Sequence, residues 1–187
     1  MPDKTLRFLF FGCMLRATLT YIHTYIHTCI HICIHYTLVY PYLTYCNIIW
    51  TSTYPTHLRK LQLAQKRAIR IITKSPFNSH TQPLFSTLKL LTITQINFIQ
   101  TCEFMYKYHT KLLPSAFLSY FPPTQFKAGL RNKPDYKLIS TRTNTRKLSI
   151  KFQGPLLWNN LPLKIRTSNT ISCFKRTLRA HTLEHVS

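Results

Sequence analysis

Acidic residues are almost absent from this chain, and their scarcity limits both its chemistry and its partners. Of 187 residues, 25 are Lys or Arg and four are Asp or Glu, so the formal net charge is +21 at pH 7. A two-metal polymerase or nuclease site needs several converging carboxylates, whereas Asp3, Glu103, Asp135 and Glu184 are widely separated. We therefore expect no catalytic site, no cofactor and no small-molecule substrate. The positive charge favours a polyanionic partner, either nucleic acid or an acidic membrane surface.

A tetrapeptide repeat occupies residues 21–35, which read YIHTYIHTCIHICIH. Its unit, Tyr-Ile-His-Thr, is what an (ACAT)n tract encodes in the frame TAC-ATA-CAT-ACA, so we interpret it as translated microsatellite DNA. Tyr, Ile and Thr favour strand over helix, and we expect a segment of low order or strand-like structure. On a helix the histidines would share one face with two cysteines nearby, as zinc or copper ligands do. We expect no dedicated metal site among these residues: His23, His27, His31, His35, Cys29 and Cys33.

The alternative interpretation of the chain is a small basic membrane-associated protein anchored by residues 8–50. Residues 17–58 contain no Lys, Arg, Asp or Glu. They do contain five histidines, many threonines, Pro41 and Pro55, which makes a membrane span unfavourable. The short apolar run Phe8–Leu15 is closed by Arg16 and only imitates a signal peptide. The six cysteines show no paired spacing, which favours reduced thiols and an intracellular location, the nucleus included.

The clearest helix lies at residues 57–74. Its apolar stripe falls at three- and four-residue steps: Leu58, Leu61, Gln65, Ala68, Ile69 and Ile72. Basic residues cover the other side: Arg59, Lys60, Lys66, Arg67, Arg70 and Lys74. Thr56 is the expected N-cap, and Pro76 follows the helix end. No acidic residue neutralises the basic face at a spacing of four, which favours a binding role for it.

The other segments also read mainly as helices. We expect a buried element at Tyr36–Trp50 and helices at Pro83–Leu91, Thr92–Lys111 and Ser168–His181. Residues 122–147 are basic and rich in Pro, Thr and Asn, which predicts an extended connector with little core of its own. The remaining predictions are a short strand at Leu148–Phe152, a turn at Gly154-Pro155, an inward Trp158 and a break at Pro162.

These predictions describe a mainly α fold, a small basic helical assembly with an irregular Pro-rich connector and one short strand or hairpin. The low-complexity segment spans residues 1–35 and a helical region residues 36–121. The basic connector spans residues 122–150. A carboxy-terminal turn and basic helix complete the chain over residues 151–187.

Four collinear stretches resemble the carboxy-terminal region of jockey-like non-LTR retrotransposon polyproteins. They are LVYPYLTYCNIIW (Leu38–Trp50), LRKLQLAQKRAIRIITK (Leu58–Lys74), GPLLWNNLPLKIR (Gly154–Arg166) and CFKRTLRAHTL (Cys173–Leu183). Within the second stretch, Leu61, Gln65, Lys66, Arg67, Ala68, Arg70 and Ile71 fit the family pattern "L..LQ.raiRii". Ser140-Thr141-Arg142 is similar to a further "sTR" element. The resemblance covers Tyr36–Ser187 and begins where the repeat ends.

The resemblance implies descent from a reverse transcriptase, from the region after its polymerase palm and thumb. The paired palm aspartates that such an RNA-directed DNA polymerase needs are absent from this chain, so the resemblance implies a catalytically inactive remnant. We expect it to bind RNA or DNA non-specifically through the phosphate backbone. The first candidates for this role are Arg59, Lys60, Lys66, Arg67 and Arg70, and the second are Lys175, Arg176 and Arg179. Four aromatic residues either stack on bases or pack in the core, and we favour the core: Tyr106, Tyr108, Phe126 and Tyr136.

Overall fold

The computed structural model describes residues 21–23, 25–123 and 134–184, and over these ranges the chain is mainly helical without a β-strand. The mainly α fold expected from the sequence is thereby confirmed. The α-helices are α1 (residues 21–23 and 25–34), α2 (Tyr40–Thr44), α3 (Asn47–Trp50), α4 (Pro55–Ile72), α5 (Gln82–Leu88), α6 (Ile93–His109), α7 (Asn144–Leu148), α8 (Ile150–Asn160), α9 (Leu163–Arg166) and α10 (Ile171–Glu184). Two further elements are a π-helical turn (His35–Val39) and a 3-10 turn (Ser115–Phe117).

The central element is α6, against which α3, α8 and α10 pack. It begins with a capping box, in which the Thr92 hydroxyl accepts from the Gln95 N–H and the Gln95 side chain accepts from the Thr92 N–H. Buried side chains lie on most of its circumference, as expected for a helix surrounded by others: Ile93, Gln95, Ile96, Ile99, Thr101, Cys102, Met105 and Tyr106. The helices predicted at Pro83–Leu91, Thr92–Lys111 and Ser168–His181 correspond to α5, α6 and α10.

The repeat forms a helix where we expected low order or a strand. Residues 21–23 and 25–34 are helical, and Ile32 packs against a second small core made by α4, α5 and the following loop. Intrinsic propensity is a weak preference that tertiary contacts override. No strand in the described part of the chain offers a partner for pairing. Residues 1–20 of the low-complexity segment lie outside the described residues.

The π-helical turn carries the chain past Pro41. In it, the Tyr40 N–H donates to the His35 carbonyl instead of the usual acceptor four residues back. Pro41 has no N–H to donate, and the wider turn lets α2 continue with proline in its first turn. The aromatic block Tyr36–Trp50 is divided among this turn, α2 and α3. It is buried at Leu43 and Asn47 but exposed at Tyr42, Tyr45 and Ile49.

His35 is fully buried beside this turn, and neither ring nitrogen has a hydrogen-bond partner among the described residues. Its ring lies against Tyr36 and Tyr40. Burial, and then the nearby Arg179 charge, holds the pKa of His35 below its ordinary value. The unfolded chain therefore binds more protons than the folded chain as pH falls below about 6.5, and stability is lost in that range.

We expect His35→Leu to raise the free energy of unfolding at pH 7.5 by about 1 kcal/mol, because it removes a buried polar group without partners. It should also flatten the loss of stability between pH 7.5 and pH 5. Urea denaturation followed by circular dichroism at both pH values measures the two effects. His57→Gln is the control for the loss of one histidine, because His57 is exposed on α4. An unchanged pH profile in His35→Leu would contradict the assignment.

The predicted strand at Leu148–Phe152 and turn at Gly154-Pro155 are both wrong. The segment is helical in α7 and α8, and Pro155 lies inside α8. An alternating pattern of only five residues does not distinguish a strand from a buried helix. Here the packing of α8 against α6 favours the helix. At Gly154 a Cβ would lie 2.8 Å from the Met105 sulfur, so glycine permits the close approach of α8 to α6. Trp158 is buried as predicted, and α8 ends before Pro162.

Two details of α4 also differ from the prediction. The helix starts at Pro55, with Tyr54 rather than Thr56 in the N-cap position, because proline is favoured in a first helical turn. Its buried residues are Gln65 and Ile69, while Leu61 is 36% exposed. Gln65 donates to the Leu91 carbonyl at 2.9 Å and accepts from the Ile93 N–H at 3.2 Å. One amide side chain thus joins α4 to the start of α6.

The carboxy-terminal part of the Pro-rich connector is held by α8 and α9. Asp135 accepts from Trp158 Nε1 at 2.8 Å and from Arg166 Nη1 at 2.9 Å. Asn159 accepts from the Asp135 N–H and donates to the Tyr136 carbonyl. Residues 124–133 lie outside the described residues. We expected an extended connector with little core of its own. Its described part supplies one buried residue, Tyr136, and its last residues form part of α7.

Within the described ranges, no helix combines the length and apolar character needed to cross a membrane.

Candidate nucleic-acid interface

The outward face of α4 is basic and has no acidic counterpart. Its direction follows from the burial of Gln65 and Ile69 on the opposite side, which turns the predicted basic residues to solvent. Four of the candidates are exposed and make no ion pair or side-chain hydrogen bond with the residues that the structure describes: Arg59, Lys60, Lys66 and Arg67. We call these four residues the α4 basic face.

The fifth candidate on this helix, Arg70, is committed to the fold. Its Nε donates to the Ser79 carbonyl at 3.0 Å, and its guanidinium lies 6.0 Å from the centre of the Phe77 ring. Both contacts hold the loop between α4 and α5. Arg70 is half-buried, so its replacement would disturb this loop as well as remove charge.

Lys74 extends the exposed basic surface and was not among the predicted site residues. It lies just beyond the end of α4 and is exposed, with a left-handed backbone (φ 52°). Helical periodicity ends with α4 at Ile72, so the apolar stripe of the helix does not fix the direction of this side chain.

The candidates on α10 are mostly occupied by internal contacts. Lys175 forms an ion pair with Glu103 at 3.0 Å. Arg179 donates to the Tyr36 hydroxyl and lies over the Tyr36 ring. Arg176 is exposed, and no contact is recorded for it within the described ranges. Three of the eight candidates thus make contacts within the fold, and the other five have no partner among the described residues.

The aromatic candidates that the structure describes pack in the core, as we favoured. Tyr106 stacks on Phe174 with ring centres 4.4 Å apart and donates to the Ser168 carbonyl. Tyr108 packs edge-on to Phe121, and Tyr136 is buried beside it. Phe126 lies outside the described residues. Base stacking by these three tyrosines would require unpacking of the core.

No group of three or more His, Cys, Asp or Glu side chains in the described ranges is arranged to hold a metal ion. Burial, and then Glu103, raises the pKa of Cys102 far above its ordinary value, so this thiol stays protonated in the core.

Compared with protein-family models, curated proteins and solved structures, the chain has no significant match.

Proposed function

We propose that this chain binds nucleic acid non-specifically through the α4 basic face. The observation that supports the proposal is four exposed cations on one helix face, none of which forms an ion pair with a described carboxylate. Lys and Arg that contact phosphates release condensed counterions, and this release drives sequence-independent binding. The side chains on this face are long and solvated, which suits contacts to a backbone rather than base-specific readout.

The origin that we propose for the chain is the carboxy-terminal region of a jockey-like reverse transcriptase, as a catalytically inactive remnant. The support is the order and spacing of the four resembling stretches. Several residues of those stretches have a defined place in the fold, namely Gln65, Gly154, Trp158, Asn159 and Arg166. Such a remnant would retain electrostatic affinity for nucleic acid without strand synthesis, since this polypeptide lacks the carboxylates for two metal ions.

Binding of the full chain to duplex DNA should depend steeply on salt. With about five phosphate contacts, we expect the logarithm of the association constant to fall with the logarithm of salt concentration with a slope of about −4 to −5. Fluorescence anisotropy with a labelled duplex of random sequence between 50 and 300 mM NaCl would measure it. Absence of binding at 50 mM NaCl, or a slope near zero, would contradict the proposal. A primer-extension assay with magnesium tests the origin separately, because strand synthesis by this chain would exclude an inactive remnant.

A further inference from the structure

Helix α1 stacks the repeat histidines along one side. The rings of His23 and His27 have centres 5.7 Å apart, and those of His27 and His31 have centres 4.7 Å apart in an edge-on arrangement. His27 Nδ1 and His31 Nε2 lie 3.0 Å from each other. This spacing follows from the four-residue repeat once the segment is helical, because residues four apart are neighbours on a helix surface.

Two nitrogens in this position can bind one metal ion. Metal–imidazole bonds are about 2.0 Å long, so nitrogens 3.0 Å apart subtend an angle of about 95° at a shared ion. That angle matches adjacent positions of a tetragonal or octahedral ion and is smaller than the tetrahedral angle that Zn²⁺ favours in structural sites. Cu²⁺ and Ni²⁺ adopt the fitting geometries and accept imidazole ligands.

We propose that His27 and His31 form a two-point chelating site on α1 for a divalent ion of the Cu²⁺ or Ni²⁺ type. Water would fill the remaining positions, since no third ligand from the described residues completes a cluster. Both side chains are only half-buried, which leaves room for a hydrated ion. The site is independent of the proposed nucleic-acid binding, which uses another helix.

The surroundings of His31 favour the neutral form of its ring. A ligating imidazole must be neutral, and the pKa of His31 is lowered by burial, then by His27 and by Lys74. The Lys74 charge also opposes a bound cation, which sets the affinity below that of a site lined with carboxylates. Ion binding should weaken in acid, because protons compete with a metal ion for imidazole nitrogens.

Isothermal titration of the full chain with NiCl₂ at pH 7.5 tests the site, and Ni²⁺ is chosen because thiols do not reduce it. We expect one ion bound per chain through this pair. His27→Gln and His31→Gln should each weaken binding about tenfold or more. Once one imidazole of a chelate holds the ion, the second binds it at a high effective concentration, and either variant loses this gain. His57→Gln, at an exposed position on α4, is the matched control and should leave affinity unchanged.

Three results would overturn the proposal. They are wild-type affinity in His27→Gln and His31→Gln, an equal loss in His57→Gln, and a thiolate-to-nickel charge-transfer band showing Cys29 or Cys33 as the principal ligand. Circular dichroism of each variant establishes that the helical content is retained. A variant that loses helical content is replaced by His→Ala at the same position, since alanine is the strongest helix former.

Discussion

The fourfold variant Arg59→Gln, Lys60→Gln, Lys66→Gln, Arg67→Gln is expected to bind duplex DNA at least about a hundredfold more weakly than the wild type at 50 mM NaCl. With a slope of about 0.9 per phosphate contact, each counterion released at this salt concentration contributes roughly a factor of 15 to the association constant. Several such contacts are lost together in the variant. The salt dependence should also become shallower, with a slope of about −1, because each lost phosphate contact removes about 0.9 from the magnitude of the slope.

A second variant separates this face from the overall charge of the chain. Arg142→Gln, Arg146→Gln, Lys147→Gln, Lys164→Gln removes the same number of Arg and Lys residues from other exposed positions. We expect its affinity to fall less than tenfold and its slope to change little. Equal losses in the two variants would mean that net charge alone drives binding, and the assignment to α4 would be wrong. Gln keeps the helical propensity close to that of Lys and Arg, and circular dichroism of both proteins checks the fold.

Long periodic helices were predictable from the sequence, whereas short elements were not. In α4 and α6 the apolar period persists over several turns, so the pattern identified both helices. The repeat was predicted from the strand propensity of its residues alone, and Leu148–Phe152 from five alternating residues. Tertiary packing makes both segments helical instead. The need for glycine at position 154 comes from its contact with Met105 on a different helix, and a local sequence pattern cannot predict such a contact.

The candidate interface was predictable to the extent that it depends on one helix. The outward direction of Arg59 and Lys66 follows from the apolar stripe of α4 itself. The internal contacts of Lys175 and Arg179 depend on Glu103 and Tyr36, which lie on distant segments. A local charge pattern cannot distinguish such a fold-stabilising cation from a free one, because both look solvent-directed on a helical wheel.

The stretch GPLLWNNLPLKIR owes its residue types to packing and hydrogen bonding within the fold. Gly154 permits the contact of α8 with α6, while Trp158 and Arg166 share one oxygen of Asp135. Arg166 is 10% exposed and paired, so its charge is directed inward. The fold therefore accounts for these residue types, and none of them belongs to the α4 basic face.

Trp158→Ala is accordingly expected to cost about 3–5 kcal/mol of folding free energy, the range for large aromatic residues in a core. The indole is fully buried, with ring centres 5.4 Å from His109 and 6.0 Å from Phe174. The truncation also leaves Asp135 without one of its two donors. Small domains have a total stability of about 5–15 kcal/mol, so the loss is a large part of the whole. Urea denaturation followed by circular dichroism at 222 nm measures it without relying on tryptophan fluorescence.

Two further variants test where this loss of folding free energy comes from. Trp158→Phe keeps an aromatic ring but loses the Nε1 donor, and we expect a loss of about 1–2 kcal/mol, the value of a hydrogen bond to a charged group plus a small void. Trp50→Ala is the control, because Trp50 is half-buried and its Nε1 donates only to the nearby Tyr45 carbonyl. A cost for Trp158→Ala no larger than that for Trp50→Ala would show that α8 does not anchor the core. The packing account of the GPLLWNNLPLKIR stretch would then fail, because the contacts of Trp158 with His109 and Phe174 depend on α8 lying against α6 and α10.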